Sequence, residues 1–205
     1  MAASAKRTAS RARRRQQLIA ATIKCIARKG MGSTSVGDVA KEAGLSQGIV
    51  NLHFKSKENL LNETLRFIAD EYKERFNKTL SQSGPSPADK LLALMELDLR
   101  PSIIDRQKIA VWFAFWGEVK SRPAYRKICD ERDQYYDDVV EGLCREIIAD
   151  GNYADVSASS VTIAITSITN GMWLSFLISP KNFDRQQNLG AIVDLLRRYF
   201  PKHYK

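Results

Sequence analysis

The chain has 205 residues, of which 44% are hydrophobic and 27% charged, and its formal net charge at pH 7 is +9. This length is ample for a core in one domain or two small ones, and the composition is that of a soluble protein. Three widely spaced cysteines without a CxxC pair, together with only two histidines, argue against a metal site and indicate buried thiols in a reducing compartment. The basic N-terminus lacks the apolar run of a signal peptide, so we expect a cytoplasmic protein.

The N-terminal segment is divided into a polar arm and a basic helix. Residues 1–10 are small and polar, which predicts a disordered arm. The basic run from Arg11 to Arg15 opens the first predicted helix, which ends at Gly30. This run is either a solvated helix start or a set of contacts with phosphates or the minor groove of a nucleic acid.

Two short helices separated by a turn are predicted next. Ser35 can cap a helix that runs to about Ala43, and Gly44 can take the positive φ that ends it. Ser46 can then cap a second helix over Gln47–Phe54. This order is typical of a helix-turn-helix, whose second helix enters the major groove of DNA. An ordinary helical hairpin is the alternative.

The charge distribution favours DNA binding over the ordinary hairpin. Residues 1–60 contain twelve Lys or Arg against three Asp or Glu, so they carry the whole net charge of +9 and the rest of the chain balances to zero. A basic excess confined to the segment that holds the motif is typical of a phosphate-binding face.

Residues 12–62 resemble the DNA-binding domain of TetR-family repressors. The resemblance is carried by the basic first helix and by the stretch STSVGDVAKEAGLSQGIVNLHFKSKENLL, which begins at Ser33. Its GIVNLHF portion is most similar to the choline-responsive betaine-synthesis branch, the BetI-type repressors. The chain departs from the general family at Asn51 and Leu52, where many members carry tyrosines that contact phosphate. The resemblance implies a three-helix DNA-binding domain followed by a larger helical regulatory domain.

We expect the motif to divide its DNA contacts between base edges and phosphates. Gln47 can read adenine edges, Gly48 lets the backbone approach the groove closely, and Asn51 faces the groove beside them. Phosphates would be held, and the register set, by Thr34, Ser35, Ser46, His53 and Lys57, although the ring of His53 could equally be packed within the motif. The full predicted set is Thr34, Ser35, Ser46, Gln47, Gly48, Asn51, Leu52, His53 and Lys57.

The remainder of the chain is predicted to be helical. Ser56 can cap a helix over residues 57–81, which at about 1.5 Å per residue is long enough to link two domains rigidly. Five further segments show helical periodicity and no run alternates as a strand does, so the fold class is all-α. These segments are about 87–99, 103–120, 123–149, 157–178 and 185–200. The predicted organisation is an arm (1–10), a helix-turn-helix domain (11–56), and a regulatory and dimerisation domain (57–205) that begins with the linking helix.

Aromatic residues of the second half suggest a ligand site. Trp112, Phe115 and Trp116 form one helical stripe, and Trp173 lies beside Asn170 on another apolar helix. Such residues usually pack in a core, but converging aromatic faces also hold quaternary ammonium ions. Because BetI-type repressors respond to choline, the resemblance favours a quaternary ammonium inducer. An uncharged aromatic or lipid-like inducer is the alternative. Carboxylates that could complement a cation are Glu118, Asp137 and Asp138.

An enzyme and a sequence-neutral basic scaffold are the outside classes. The DDVVE run, with Asp137, Asp138 and Glu141, resembles the magnesium–diphosphate motif of terpenoid enzymes, but the sequence offers no second acidic cluster. No nucleophile–His–acid set is evident, because His53 lies in the recognition helix and His203 in the C-terminal tail. We therefore predict that the chain is not an enzyme, without a metal or another cofactor.

The last two predicted helices suggest a dimer interface. Val161, Ile165, Ile168 and Met172, with their small neighbours, suit close helix packing, and the final helix carries a second apolar stripe. Polar residues within 161–178 argue against a membrane span. The resemblance implies a homodimer through a four-helix bundle, and two-fold symmetry predicts a palindromic operator on double-stranded DNA.

Overall fold

The computed structural model describes the backbone of residues 2–205 and the side chains of residues 11–205. This part of the chain is helical and contains no strand, which confirms the all-α prediction. The helices are α1 (Ala2–Lys29), α2 (Val36–Ala43), α3 (Gln47–Phe54), α4 (Lys57–Gln82), α5 (Pro87–Asp98), α6 (Arg106–Trp116), α7 (Pro123–Gly151), α8 (Ala158–Ile178) and α9 (Arg185–Tyr199), with a 3-10 turn at Pro180–Asn182.

Two helices differ from their predicted lengths. The predicted helix over 103–120 is shorter, because the carboxylate of Asp105 accepts the N–H of Lys108 at 2.9 Å and caps α6 just before Arg106. At its other end α6 stops before Gly117, and turns follow. At the N-terminus, α1 begins at Ala2 and so includes residues assigned above to a disordered arm. Alanine, lysine and arginine in that segment favour helix.

The chain divides into two compact units that are not consecutive in sequence. The first contains the residues up to Asp70 together with Ala110–Ile128, and the second contains Glu71–Ile109 and Cys129–Lys205. The boundary passes through α4, α6 and α7, so each of these helices contributes to both units. This division differs from the predicted boundary after residue 56, since the first unit also takes the beginning of α4 and most of α6.

Helix α8 is a core helix of the second unit and keeps one uncharged face outside. It is long and apolar enough to cross a membrane by length and composition alone. Within the unit, however, its Thr166 donates to the Asp137 carboxylate at 2.9 Å, which ties α8 to α7. Of the residues predicted for the dimer interface, Val161, Ile165 and Met172 are buried within the chain itself. The exposed residues of α8 that form an apolar stripe are instead Ile163, Ser167, Gly171, Leu174 and Ile178.

Candidate functional site

The turn between α2 and α3 has the geometry that the sequence predicts. Ser35 begins a capping box, in which its hydroxyl accepts the N–H of Asp38 at 3.1 Å and the Asp38 carboxylate accepts the N–H of Ser35 at 2.9 Å. Gly44 ends α2 with φ 63° and ψ 34°, the left-handed conformation that only glycine adopts at little cost. Ser46 occupies the cap position of α3, but its side chain makes no capping hydrogen bond, contrary to the prediction.

One face of α3 is exposed, and the opposite face is buried. Val50 and Phe54 lie in the core, whereas the predicted contact residues occupy the outer face. These exposed residues are Gln47, Gly48, Asn51 and Leu52. Leu52 keeps 70% of its surface accessible, which is unusual for a leucine and leaves an apolar group free to meet another surface.

The side chain of Gln47 rests against α2. A Cβ at Gly37 would lie 2.9 Å from the amide nitrogen of Gln47, so the absence of a side chain at Gly37 makes room for Gln47. No role for Gly37 was predicted from the sequence. A glycine inside a helix as short as α2 could have indicated that another side chain packs closely at that position.

The predicted phosphate contacts divide into exposed and buried positions. Ser35 and Ser46 are exposed, and Lys57 is half-buried at the start of α4. Thr34 is 2% exposed, and its hydroxyl donates to the Gly30 carbonyl at 2.8 Å. The hydroxyl of Thr34 thus points inward and closes the end of α1.

His53 lies in a basic environment and is partly buried. Burial lowers the pKa of His53, and the positive charges of Arg11, Arg15 and Arg14 lower it further. Its Nδ1 atom is buried and has no hydrogen-bond partner among the described side and main chains. The lowered pKa favours the neutral ring, and the other ring nitrogen, Nε2, is the one left to donate to a phosphate.

The basic residues of α1 have two different roles. Arg15 donates to the Glu63 carboxylate at 2.8 Å and to the His53 carbonyl at 3.3 Å, and its guanidinium lies 4.8 Å from the centre of the Phe54 ring. It therefore joins α1, α3 and α4. Arg11, Arg13 and Arg14 are exposed and remain available to an anion. Lys41 and Lys55 are exposed on either side of α3 in the sequence.

The predicted ligand residues are distributed over both units. Trp112 and Phe115 are buried in the first unit, where Phe115 packs edge-on against Tyr125 at a centroid distance of 4.8 Å. Phe115 is therefore a core residue of that unit. Trp116 is half-buried, with its ring centre 6.2 Å from that of Trp112.

Trp173 belongs to a buried cluster of the second unit that is built around a carboxylate. Asp98 is fully buried and accepts hydrogen bonds from the hydroxyls of Tyr72 at 2.7 Å and Tyr136 at 3.2 Å. The indole N–H of Trp173 donates to the Asp98 carbonyl at 2.9 Å. Burial raises the pKa of Asp98 to about 6, although the bond from Tyr72 and the charge of Arg132 act in the opposite direction. We call these residues, with Arg132, the Asp98 cluster.

Of the Asp98 cluster, Trp173 is the one member predicted as a ligand residue from the sequence. The predicted Asn170 is half-buried one turn earlier on α8. The carboxylates considered as cation partners have other contacts: Asp137 accepts from Thr166, and Asp138 accepts from Gln134 at 2.7 Å. Asp98 itself ends an ordinary-looking apolar helix, and nothing in the sequence distinguishes it from a surface aspartate.

Two acidic groups bear on the enzyme hypothesis. Glu141 of the DDVVE run forms an ion pair with Arg145, with 2.6 Å between the nitrogen and the carboxylate oxygen. At the end of α7, the hydroxyl of Tyr153 lies 2.9 Å from Nδ1 of His203, whose Nε2 lies 2.9 Å from the Asp150 carboxylate. This set could not be predicted from the sequence, because His203 lies about 50 residues beyond Tyr153 and Asp150. The same tyrosine oxygen accepts the N–H of Lys202 at 2.8 Å, so the set fastens the C-terminal tail to α7.

Family models match both parts of the chain. Residues 18–64 match the model of bacterial regulatory proteins of the tetR family, and residues 87–201 match the C-terminal model of BetI-type transcriptional repressors. The HTH-type transcriptional regulator BetI of Stenotrophomonas maltophilia is 31% identical over 175 residues, which cover 85% of this chain and 87% of that protein. These relatives are transcriptional regulators, which confirms the prediction that the chain is not an enzyme.

Solved structures share the same fold. A transcriptional regulator from Pseudomonas aeruginosa superposes with a TM-score of 0.81 at 26% identity, covering 94% of each chain. A regulator from Saccharomonospora viridis, solved in complex with choline, also gives a TM-score of 0.81, at 21% identity, over 91% of this chain and 96% of that one.

Proposed function

The chain belongs to the TetR family of bacterial regulators and carries the C-terminal domain of BetI-type transcriptional repressors, and from this premise we propose that it binds a palindromic operator as a homodimer. The dimer releases the operator when a quaternary ammonium inducer binds. The observation that carries the DNA-binding part is the outer face of α3. Gln47, Gly48 and Asn51 are exposed together there, while the exposed arginines of α1 provide positive charge for phosphates.

The uncharged face of α8 supports the homodimer. This helix contains no charged residue along its 21 positions, and Ile163 and Ile178 keep 64% and 71% of their surfaces accessible. Large apolar side chains in one exposed stripe mark an interaction surface, and Ser167 and Gly171 between them allow a second helix to approach closely. A second copy of the same face satisfies these requirements by two-fold symmetry. Two recognition helices would then meet half-sites about 34–36 Å apart.

The Asp98 cluster supports a cationic inducer. Three aromatic residues meet there at one buried residue: Tyr72 and Tyr136 donate to the Asp98 carboxylate, and Trp173 donates to the Asp98 carbonyl. Aromatic rings hold quaternary ammonium ions through their faces. The regulator that was solved with choline has the same fold. The inducer must bind the form that does not fit the operator more tightly than the form that does.

The proposal is tested by gel shifts with DNA from upstream of the protein's own gene, with random DNA of equal length as the control. We expect a discrete complex on the upstream DNA, and we expect choline at millimolar concentration to dissociate it. Equal binding to both DNAs would indicate a sequence-neutral scaffold. Release by a long-chain acyl compound but not by choline would support the lipid-like alternative.

The dimer is tested separately by light scattering after size-exclusion chromatography. Ile163→Glu places a charge in the exposed stripe of α8, and we expect it to shift the mass from dimer to monomer. Ala154→Glu, in the exposed loop before α8, adds the same charge outside the stripe and should leave the dimer intact. A monomeric wild-type protein would overturn this part of the proposal.

A further inference from the structure

A cation of the protein itself lies on the aromatic rings of the Asp98 cluster. The guanidinium carbon of Arg132 is 5.0 Å from the centre of the Tyr72 ring and 5.5 Å from that of Trp173. Both distances are within the range of about 6 Å over which an aromatic face attracts a cation. The two rings meet edge to face, at a centroid distance of 5.8 Å and an interplanar angle of 81°, so Arg132 is held between faces of different orientation.

Arg132 is held in this position by charge as well as by the rings. Its side chain is only 9% exposed, and one guanidinium nitrogen lies 2.6 Å from the carboxylate of the adjacent Asp133. The charge of Arg132 also acts on Asp98, the buried carboxylate that accepts the hydroxyl of Tyr72. A buried arginine surrounded by aromatic faces and carboxylates occupies an environment that selects cations rather than anions.

We propose that Arg132 is a resident cation, whose guanidinium occupies the aromatic faces that an inducer's quaternary ammonium would use, so that the inducer binds only when Arg132 leaves them. This inference rests on the proposed quaternary ammonium inducer. Two positive charges cannot share the same rings, because like charges repel strongly where water is excluded. Arg132 therefore weakens inducer binding and sets the concentration at which the regulator responds.

The position of Arg132 also gives the exchange a mechanical consequence. The faces that it occupies belong to α4 and α8, and Arg132 itself lies on α7. When Arg132 leaves, α7 loses its cation–π contacts to both helices, and the incoming cation takes them over. Because α4 is the helix that follows the recognition helix in the chain, a change in its packing is suited to altering operator binding.

The test compares binding of tetramethylammonium chloride by calorimetry in the wild-type protein and four variants, with sodium chloride as the ionic-strength control. Arg132→Ala and Arg132→Gln remove the resident cation, and the longer glutamine serves if alanine disrupts folding. Arg132→Lys keeps a positive charge at the position. Arg145→Ala removes an arginine from the same helix whose side chain is 66% exposed and pairs with Glu141. Gel shifts on the upstream DNA verify that each variant is folded.

We expect Arg132→Ala and Arg132→Gln to bind tetramethylammonium at least tenfold more tightly than the wild type, with Arg132→Lys and Arg145→Ala within twofold of it. If the wild type binds and the neutral variants bind equally or more weakly, the resident cation is refuted and the proposed inducer class stands. If neither the wild type nor any folded variant binds, both the resident cation and the quaternary ammonium inducer are refuted, whereas operator binding is unaffected.

Discussion

Contacts between near neighbours in the sequence stabilise the helix-turn-helix, whereas contacts between distant residues stabilise the Asp98 cluster. In the motif, the shaping bonds join near neighbours, such as the capping box between Ser35 and Asp38. In the cluster, the bonds to Asp98 come from residues 26, 38 and 75 positions away along the chain. The caps and the turn of the first region are therefore specified locally, although Arg15 reaches the motif from α1. The second region exists only when α4, α5, α7 and α8 are packed together.

The largest expected effect on stability comes from replacing Trp173, because the replacement removes both packing and a buried hydrogen bond from the Asp98 cluster. Trp173 is 5% exposed and donates to the Asp98 carbonyl. We expect Trp173→Ala to lower the free energy of unfolding by about 3–5 kcal/mol, measured by urea denaturation. The half-buried Trp116 provides the matched control. A smaller loss for Trp173→Ala than for Trp116→Ala would contradict the importance given to the cluster.

The second prediction concerns the pH dependence of the cluster. Burial raises the pKa of Asp98 from 3.8 to about 6, so between these values the folded protein holds a proton that the unfolded chain has released. Stability therefore falls as the pH rises from about 4 to about 6, by about 3 kcal/mol in total, and this cost persists at neutral pH.

Replacing the carboxyl group of Asp98 should remove this dependence. Asp98→Asn keeps the shape of the side chain and cannot ionise, so we expect a flatter pH profile of unfolding and greater stability than the wild type at pH 7. Asp138→Asn, at an exposed position on α7, is the control and should follow the wild-type profile. If both variants show the wild-type profile, Asp98 does not titrate in this range.

The third prediction separates base readout from phosphate contact in the motif. We expect Gln47→Ala to reduce discrimination at one operator base pair by about 1–3 kcal/mol. Lys57→Gln should instead weaken binding to all sequences and reduce the slope of binding against salt concentration by about 1. Fluorescence anisotropy on the operator and on single-base variants at several salt concentrations measures both effects. Identical behaviour of the two variants would refute the assigned division.

The same contrast explains what the sequence could predict. The bounds of α2 and α3, the capping by Ser35 and the turn at Gly44 depend on residues within a few positions, and the structure has all of them. The inward position of the Thr34 hydroxyl could not be predicted in this way, because its partner, the Gly30 carbonyl, becomes available only when α1 ends there. Even a local motif therefore contains contacts that are set only where it meets another helix.

The Asp98 cluster could not be predicted, for a physical reason. A carboxylate becomes buried and a tyrosine becomes its donor only through packing, and neither leaves a periodic pattern. Tyr72 and Arg132 lie on helices whose other residues are largely polar. The sequence therefore does not indicate that these two side chains point into the core, because the helices that pack against them are not known from it. Trp173 was found because tryptophan is rare, not because its bond to the Asp98 carbonyl was foreseen.

The smallest expected effect tests how far the local character of the motif extends, using two serines at equivalent cap positions. The hydroxyl of Ser35 accepts the N–H of Asp38, whereas that of Ser46 makes no capping bond. We expect Ser35→Ala to cost about 1 kcal/mol of unfolding free energy and Ser46→Ala less than about 0.5 kcal/mol in urea denaturation. Since its hydroxyl is not used in a cap, Ser46 remains available to a phosphate, and Ser46→Ala should weaken operator binding without loss of stability. Equal losses of stability for both variants would mean that the two helices are capped alike in solution, and the difference between them would then have no functional meaning.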